Sequence, residues 1–227
     1  MMIELRRIGI VVGMLVCAGY AHAQDTTESL LQRFIDNPSY QAAVWDSARK
    51  QAAALPDRCA TVKPADGNFW IAVVAPVSFA KKDGRLVPSE GAWVAHLNAD
   101  VCGTRRQLNV LSIAGGNGAV DLQPLYRGTT LADPVLQRDA STSVIELANM
   151  LANGPRTQDC KSPVIVDTRF IAIEDKPQPG VQPGQNPYAW HEVWTVDLCG
   201  TPFEAAIDFV PDSTGTGFNV HAPRGAK

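Results

Sequence analysis

A carboxylate between two tryptophans is the residue of this sequence best placed to do chemistry. Glu192 lies two residues from Trp190 and two from Trp194. In a strand all three side chains would point to one face, because successive side chains alternate between faces. An acid held between two indole rings could act as general acid or base in a hydrolase. We expect instead a structural glutamate that reaches solvent at a strand end or pairs with an arginine such as Arg169, since structural ion pairs also involve such carboxylates.

Two aspartates recur in one sequence setting. Asp100 and Asp197 each stand two residues before a Cys-Gly-Thr sequence. A repeated carboxylate could be a binding feature, but aspartate also commonly accepts hydrogen bonds from nearby backbone amides in turns. We expect the structural role, because both aspartates precede the same predicted turn.

The sequence lacks the spacing of common catalytic and metal sites. His96, His191 and His221 form neither an H-x-x-x-H nor an H-E-x-x-H pattern, so the sequence predicts no zinc site. His191 and Glu192 are adjacent and would therefore point to opposite faces of a strand. No G-x-S-x-G sequence occurs, and the glycine-rich segment at 115–118 lacks the lysine of a phosphate-binding loop. We expect no cofactor and no catalytic residue of a known type.

The first 23 residues predict a secretory signal peptide. Two arginines precede an uncharged apolar stretch at 8–20, and an Ala-His-Ala sequence at 21–23 supplies small residues for cleavage before Gln24. The apolar stretch is too short to span a bilayer comfortably. The mature protein is therefore expected to be periplasmic or secreted. The alternative is a lipoprotein signal, with Cys17 as the lipidated residue.

Charge and hydropathy narrow the classes of partner. The chain has a formal net charge of −3, which becomes −4 when the predicted signal peptide removes two arginines and one glutamate. This mild acidity gives no electrostatic reason to bind nucleic acid or an anionic membrane surface. No other apolar stretch approaches membrane-spanning length, so no stable membrane insertion is expected after cleavage. The expected partner is an unknown envelope or extracellular protein.

The chain contains an internal repeat. Trp93 and the Cys-Gly-Thr sequence at 102–104 recur as Trp190 and a Cys-Gly-Thr sequence at 199–201, each displaced by 97 positions. A fixed displacement of this kind indicates two copies of one structural unit. The sequence therefore predicts a tandem duplication, with a signal peptide at 1–23, a first module at 24–135 and a second at 136–227.

The repeat also favours one pairing of the four cysteines that follow the signal peptide. An even number of cysteines in an exported chain favours disulfide bonds, and four cysteines allow three connectivities. Cys59 and Cys160 each follow a predicted helix, whereas Cys102 and Cys199 each lie at a predicted turn. The duplication therefore predicts Cys59–Cys102 and Cys160–Cys199, with pairing between the modules as the alternative.

Each module is predicted to be α+β, with one N-terminal helix packed on a small antiparallel sheet and one disulfide per module. One apolar face and one polar face in the strand that leads to Cys-Gly are typical of an antiparallel sheet covered on one side. The expected elements are helices at 38–55 and 141–152, strands at 69–79 and 164–173, polar loops at 81–91 and 175–187, and strands on both sides of each Cys-Gly turn.

The segment from Trp190 to Gly200 reads Trp-x-Glu-x-Trp-Thr-Val-x-x-Cys-Gly. It resembles a strand-turn motif of uncharacterised bacterial secreted or periplasmic proteins, in which an apolar strand and a Gly/Thr turn follow, here at 203–217. The resemblance covers about half of the second module. It implies association with the cell envelope and implies no reaction.

These observations favour a non-enzymatic, envelope-associated interaction or binding module. The first alternative is an envelope hydrolase that uses Glu192 as general acid or base. The second is a structural or stress-resistance protein without a specific ligand. The candidate functional or binding residues are Trp93, Asp100, Trp190, Glu192, Trp194 and Asp197.

Overall fold

The computed structural model describes residues 26–56, 59, 61–151, 160, 162–182 and 185–223. The predicted signal peptide at 1–23 and its cleavage site before Gln24 lie outside the described residues. Across the described ranges the fold is mixed α and β: two four-stranded antiparallel sheets dominate, and three helices accompany them.

The first unit contains two helices and a four-stranded meander. Its sheet has the order β1-β2-β3-β4, so strands that are consecutive in sequence are neighbours in the sheet. The elements are α1 (Thr27–Ile35), α2 (Pro38–Ala54), β1 (Val62–Lys82), β2 (Arg85–Val101), β3 (Thr104–Ala114) and β4 (Val120–Pro124).

The second unit follows the same order with one helix. Its sheet has the order β5-β6-β7-β8. The elements are α3 (Pro134–Leu151), β5 (Val164–Pro177), β6 (Tyr188–Asp197), β7 (Pro202–Pro211) and β8 (Thr216–His221). Trp93 and Trp190 occupy matching places in β2 and β6 and belong to the buried cores of their units. The tandem duplication itself stays a prediction.

Two features of the helices differ from the sequence-based expectation: the first unit has an additional helix, and the helix of the second unit begins earlier. The prediction of one helix per module is wrong for the first unit, where α1 precedes α2. The Thr26 side chain caps α1, because its Oγ1 accepts a hydrogen bond from Ser29 N at 3.2 Å. The predicted start of the second helix at Ser141 is also wrong, because α3 begins at Pro134. Asp133 Oδ1 accepts from two backbone amides of the first turn, at 2.8 and 2.9 Å, as an N-cap does. The predicted boundary at 135/136 therefore falls in the first turn of α3.

Helix α2 and strand β2 form most of the first core. The buried positions of α2 recur every four residues, which places them on one helix face. In β2 the residues from Trp93 to Leu97 are all buried, and beyond them buried residues alternate with the partly buried Asn98 and Asp100. The main core residues of these two elements are Tyr40, Val44, Ala48, Ala52, Trp93, Ala95, Leu97, Ala99 and Val101.

The predicted polar loop at 81–91 is instead the end of a long hairpin. β1 continues to Lys82, and β2 begins at Arg85. Asp83 and Gly84 form the two-residue turn, with φ of 49° and 78°. Two consecutive positive φ angles with Asp-Gly are typical of the tight turns that join antiparallel strands. In the second unit the corresponding loop is observed, since β5 ends at Pro177 and β6 begins at Tyr188.

Both predicted disulfides are present. Cys59 is bonded to Cys102, with their Cα atoms 5.8 Å apart, and Cys160 is bonded to Cys199, with 5.6 Å between the Cα atoms. Each bridge ties the chain that precedes the first strand of its unit to the turn between the second and third strands. The bridges therefore lie within the units, and the alternative of pairing between them is wrong.

Residues 125–133, which connect β4 to α3 and are called the linker, also join the two sheets. Leu125 N and Gly128 N donate to the carbonyls of Asn109 and Gln107 in β3, at 2.9 and 2.8 Å. On its other side the linker pairs with β5, because Thr129 N donates to Thr168 O and Thr168 N donates to Arg127 O, both at 2.8 Å. Residues 125–129 therefore bridge β3 of the first sheet and β5 of the second.

Candidate functional site

The outer strand β1 of the first sheet exposes a contiguous apolar segment. Trp70 is 48 % exposed and Val73 55 % exposed, and residues 69–77 include no charged side chain. We call residues 69–75 of this strand the β1 edge. An edge strand presents unpaired backbone N–H and C=O groups, which can pair with a further strand. The β1 edge is therefore the strongest candidate docking surface of the described protein.

A polar network under Trp70 orients its ring. The indole stacks on His96, with ring centroids 3.7 Å apart and 20° between the planes. His96 Nδ1 lies 2.8 Å from Asn109 Oδ1. The Asn109 amide nitrogen donates to the carbonyls of Tyr126 and Gly128, at 2.7 and 2.9 Å. Stacking and hydrogen bonds through His96 and Asn109 thus link the exposed Trp70 ring to the backbone of the linker.

Protonation of His96 is expected to weaken the fold. Burial lowers the pKa of His96, and the hydrogen bond to Asn109 offsets only part of that shift. The unfolded chain takes up a proton near the ordinary pKa of about 6.5, whereas the folded chain does so only at lower pH. The unfolding free energy should therefore fall as the pH drops below about 6.5, by up to about 1.4 kcal/mol per pH unit between the two pKa values.

Urea unfolding between pH 7.5 and 5.0 measures this effect. The His96→Gln variant should be less stable at pH 7.5 but should lose less of its unfolding free energy on acidification than the parent protein. Because His191 and His221 are unchanged in both proteins, their contribution cancels in the comparison. Equal pH slopes for the two proteins would contradict the assignment to His96.

A matching apolar position lies on the outer strand of the second sheet. Val73 pairs with Trp93 across β1 and β2, and Ile173 pairs with Trp190 across β5 and β6. Ile173 is 46 % exposed. The edge opposite the repeated tryptophan therefore exposes a β-branched apolar side chain in both units.

Glu192 is fully enclosed and accepts four hydrogen bonds. It is 1 % exposed. Its Oε1 accepts from Thr130 Oγ1 at 3.0 Å, Leu131 N at 2.8 Å and Trp190 Nε1 at 2.8 Å. Its Oε2 accepts from Trp194 Nε1 at 2.8 Å. The core-facing placement expected from strand alternation is confirmed, and both neighbouring indoles donate to the same carboxylate.

These contacts show what Glu192 does in the fold. The expectation that it reaches solvent or pairs with Arg169 is wrong, because Arg169 lies 3.5 Å from Glu204 Oε1 instead and the donors around Glu192 are the two indoles and the linker. A buried carboxylate needs such donors to replace its lost hydration. Glu192 therefore fastens the linker at Thr130 and Leu131 to the core of the second unit.

The other predicted residues are placed in turns and in the first core. Asp100 Oδ1 accepts from Gly103 N at 2.6 Å, and Asp197 accepts from Gly200 N at 3.1 and 3.0 Å. Trp93 Nε1 donates to Tyr40 Oη at 2.7 Å. The two aspartates bond to turn amides as expected, and Trp93 has a phenol where Trp190 has a carboxylate. The structure brings together only Trp190, Glu192 and Trp194.

A cluster of two histidines and an aspartate on the second sheet was not predicted. His191 Nδ1 lies 2.6 Å from Asp208 Oδ1, and His221 Nε2 lies 3.0 Å from Asp208 Oδ2. Partial burial acts to raise the pKa of Asp208, but the hydrogen bonds and charges of the two histidines outweigh it and hold that pKa below its usual range. The partners are 17 and 13 positions from Asp208, so no local spacing pattern could reveal the cluster.

The described part of the chain contains no recognisable metal site or membrane-spanning helix. Within the described ranges no group of three or more His, Cys, Asp or Glu residues is arranged to hold a metal ion. None of the helices described is long and apolar enough to cross a membrane. No protein-family model, curated protein or solved structure matches the chain. The resemblance to bacterial secreted proteins therefore stays a prediction.

Proposed function

We propose that this protein is an exported, non-catalytic interaction protein of the cell envelope, and that it binds an extended segment of another protein along the β1 edge. The observation that carries the proposal is the exposed apolar segment on the outer strand of the first sheet, where Trp70 and Val73 are about half exposed. A partner strand would gain backbone hydrogen bonds from the edge and apolar contact from these side chains.

Three further features support this proposal. The two disulfides favour an oxidising compartment, because such bonds are rare in reducing cytosol. The apolar stretch near the N-terminus is typical of a signal peptide. The second sheet exposes Ile173 at the position that matches Val73. We propose that the chain arose by tandem duplication, in which case both edges derive from one ancestral docking strand and could bind bivalently.

The alternatives gain less support. A general acid or base needs a carboxyl oxygen that a substrate can reach, whereas Glu192 is enclosed and its oxygens accept from four donors. A structural protein without a ligand would be expected to protect a long apolar edge with charges, since exposed edges promote aggregation. Residues 69–77 carry no such charge. Pro76 and the register shifts after Val73 and Ala75 interrupt the strand beyond residue 73, so residues 69–73 are the regular, unprotected part of the edge.

Photo-crosslinking in cells that produce the protein tests the proposal. A photoreactive residue at position 73 should capture a discrete partner protein, whereas the same residue at position 135 should not. Val135 is a suitable control because it is 56 % exposed, like Val73, but lies on α3. In a second pair of variants, Val74→Lys should reduce the adduct at position 73 by at least tenfold, and Val135→Lys should leave it unchanged.

Two outcomes would overturn the proposal. The first is the absence of any adduct at position 73, or equal adducts at positions 73 and 135. The second is an adduct whose mass is that of two copies of this chain, which would assign the edge to self-association. Thermal unfolding of each lysine variant should remain within a few degrees of the parent protein, so that a lost adduct is not the result of unfolding.

A further inference from the structure

A groove lies where the two units meet. It is bounded by the end of α2, the linker and the start of α3, together with the first residues of β5. Its volume is about 430 Å³, within the range of about 300–1,000 Å³ that is typical of small-molecule sites. Most of its wall is apolar, including Ala54, Leu55, Leu125, Val164 and Ile165.

Two glutamines from different helices supply the polar part of this wall. Gln51 Nε2 donates to Leu125 O, and Gln137 Nε2 donates to Ala132 O at 2.8 Å. These bonds fix which end of each side-chain amide is nitrogen. The opposite ends, Gln51 Oε1 and Gln137 Oε1, are buried and have no hydrogen-bond partner among the described residues. A buried acceptor without a donor is unfavourable, and a ligand donor would reach either oxygen only if the glutamine side chain turned its amide toward the groove.

The charges at the groove indicate what kind of molecule would fit. No described residue of its wall carries a carboxylate, and its one cation, Arg138, lies 2.9 Å from Asp139. Among the described residues of the wall a ligand cation would therefore meet no counter-charge, and the arginine already has an anionic neighbour. The unpaired groups are neutral acceptors, and the remaining surface favours apolar atoms.

We propose that this groove is a binding site for a small, neutral and largely apolar molecule that carries an N–H or O–H donor. The apolar body packs between α2 and α3, and the side chain of Gln51 or Gln137 turns so that its Oε1 accepts a hydrogen bond from the ligand donor. This site is separate from the β1 edge and does not depend on the proposed protein partner. Its occupant would contact both units and the linker at once, so binding stabilises their junction.

N-phenyl-1-naphthylamine is a suitable probe, because it is neutral and apolar, has one N–H group, and fluoresces more strongly in an apolar site. Titration of the full-length mature protein with this probe should give saturable binding with a Kd in the micromolar range. The N-methylated analogue has nearly the same shape but no donor, and it should bind at least fivefold more weakly. Equal Kd values for the two probes would overturn the role of the glutamine oxygens.

A matched pair of variants locates the binding. Ala54→Trp should fill the groove and weaken probe binding at least tenfold, whereas Ala53→Trp, on an exposed neighbouring position of α2 outside the groove, should leave the Kd unchanged. Probe binding should also raise the thermal unfolding temperature of the parent protein and not that of Ala54→Trp. Equal Kd values for both tryptophan variants, or no saturable binding to the parent protein, would overturn the proposal.

Discussion

Gly128→Ala is expected to destabilise the protein by about 3–5 kcal/mol, through backbone strain combined with overpacking. Gly128 has φ of 105°, in a region that residues with a Cβ atom rarely adopt. A Cβ atom there would lie 1.9 Å from Thr168 O and 2.6 Å from Asp167 Oδ1. The backbone of β5 would have to move away from the linker, which would break the pairing that joins the two sheets.

Urea unfolding measured by tryptophan fluorescence checks this result, because Trp93 and Trp190 report on different cores. The parent protein should unfold in one transition, whereas Gly128→Ala should show a lower midpoint and a separate, earlier loss of the second unit. Gly116→Ala is the control, since a Cβ atom there would meet nothing within 4 Å. A change of less than about 0.5 kcal/mol for Gly128→Ala, the level expected of ordinary surface substitutions, would show that the junction is not required for stability.

Glu192→Gln is expected to destabilise the protein by about 2–4 kcal/mol, because an amide cannot accept every hydrogen bond that the carboxylate accepts. Three donors converge on Oε1, so the amide nitrogen would take the place of Oε2, which has a single donor. The new N–H₂ group would then face Trp194 Nε1–H, leaving two buried donors opposed. The substitution preserves shape, so the loss should reflect hydrogen bonding and charge rather than a cavity.

Stability and fluorescence measurements distinguish this structural role from a catalytic one. Glu192→Gln should shift the tryptophan emission and lower the urea midpoint, while Glu204→Gln should change the unfolding free energy by at most about 0.5 kcal/mol, because exposed ion pairs contribute little. Glu204 is a fair control since it is an exposed glutamate on the neighbouring strand of the same sheet. Unchanged stability of Glu192→Gln with loss of a hydrolytic activity would instead support the hydrolase alternative.

Patterns in the sequence predicted the side-chain orientations in β6 and the pairing of the cysteines. Strand alternation placed Glu192 and Trp194 on the core side of β6, and the repeat gave the disulfide pairing of Cys102 with Cys59. Helix α1 was missed because nine residues form too short a helix to be stable alone; its Leu31 and Ile35 are buried in the first core. Its existence therefore depends on packing with residues that are distant in sequence.

The candidate sites could not be predicted from the sequence, because residues that are far apart in the chain form them. Thr130 and Leu131 lie about sixty positions before Glu192, and Gln51 and Gln137 come from different helices, so no spacing pattern could connect them. The hairpin at 81–91 was missed for another reason, because its mainly exposed side chains show no apolar alternation. The Asp83-Gly84 turn was the available signal, since Asp-Gly favours tight hairpin turns.

The two disulfides are consecutive along the chain, since Cys59–Cys102 closes before Cys160 is reached. In a chain that crosses a membrane from its N-terminus, an oxidant that joins cysteines in their order of appearance would form both native bonds directly. Such a chain would need no isomerase to exchange wrong partners, and the first core could become covalently closed while the second was still being translocated. The linker contacts both β3 and Glu192, so its hydrogen bonds could be completed only after Glu192 had followed it across the membrane.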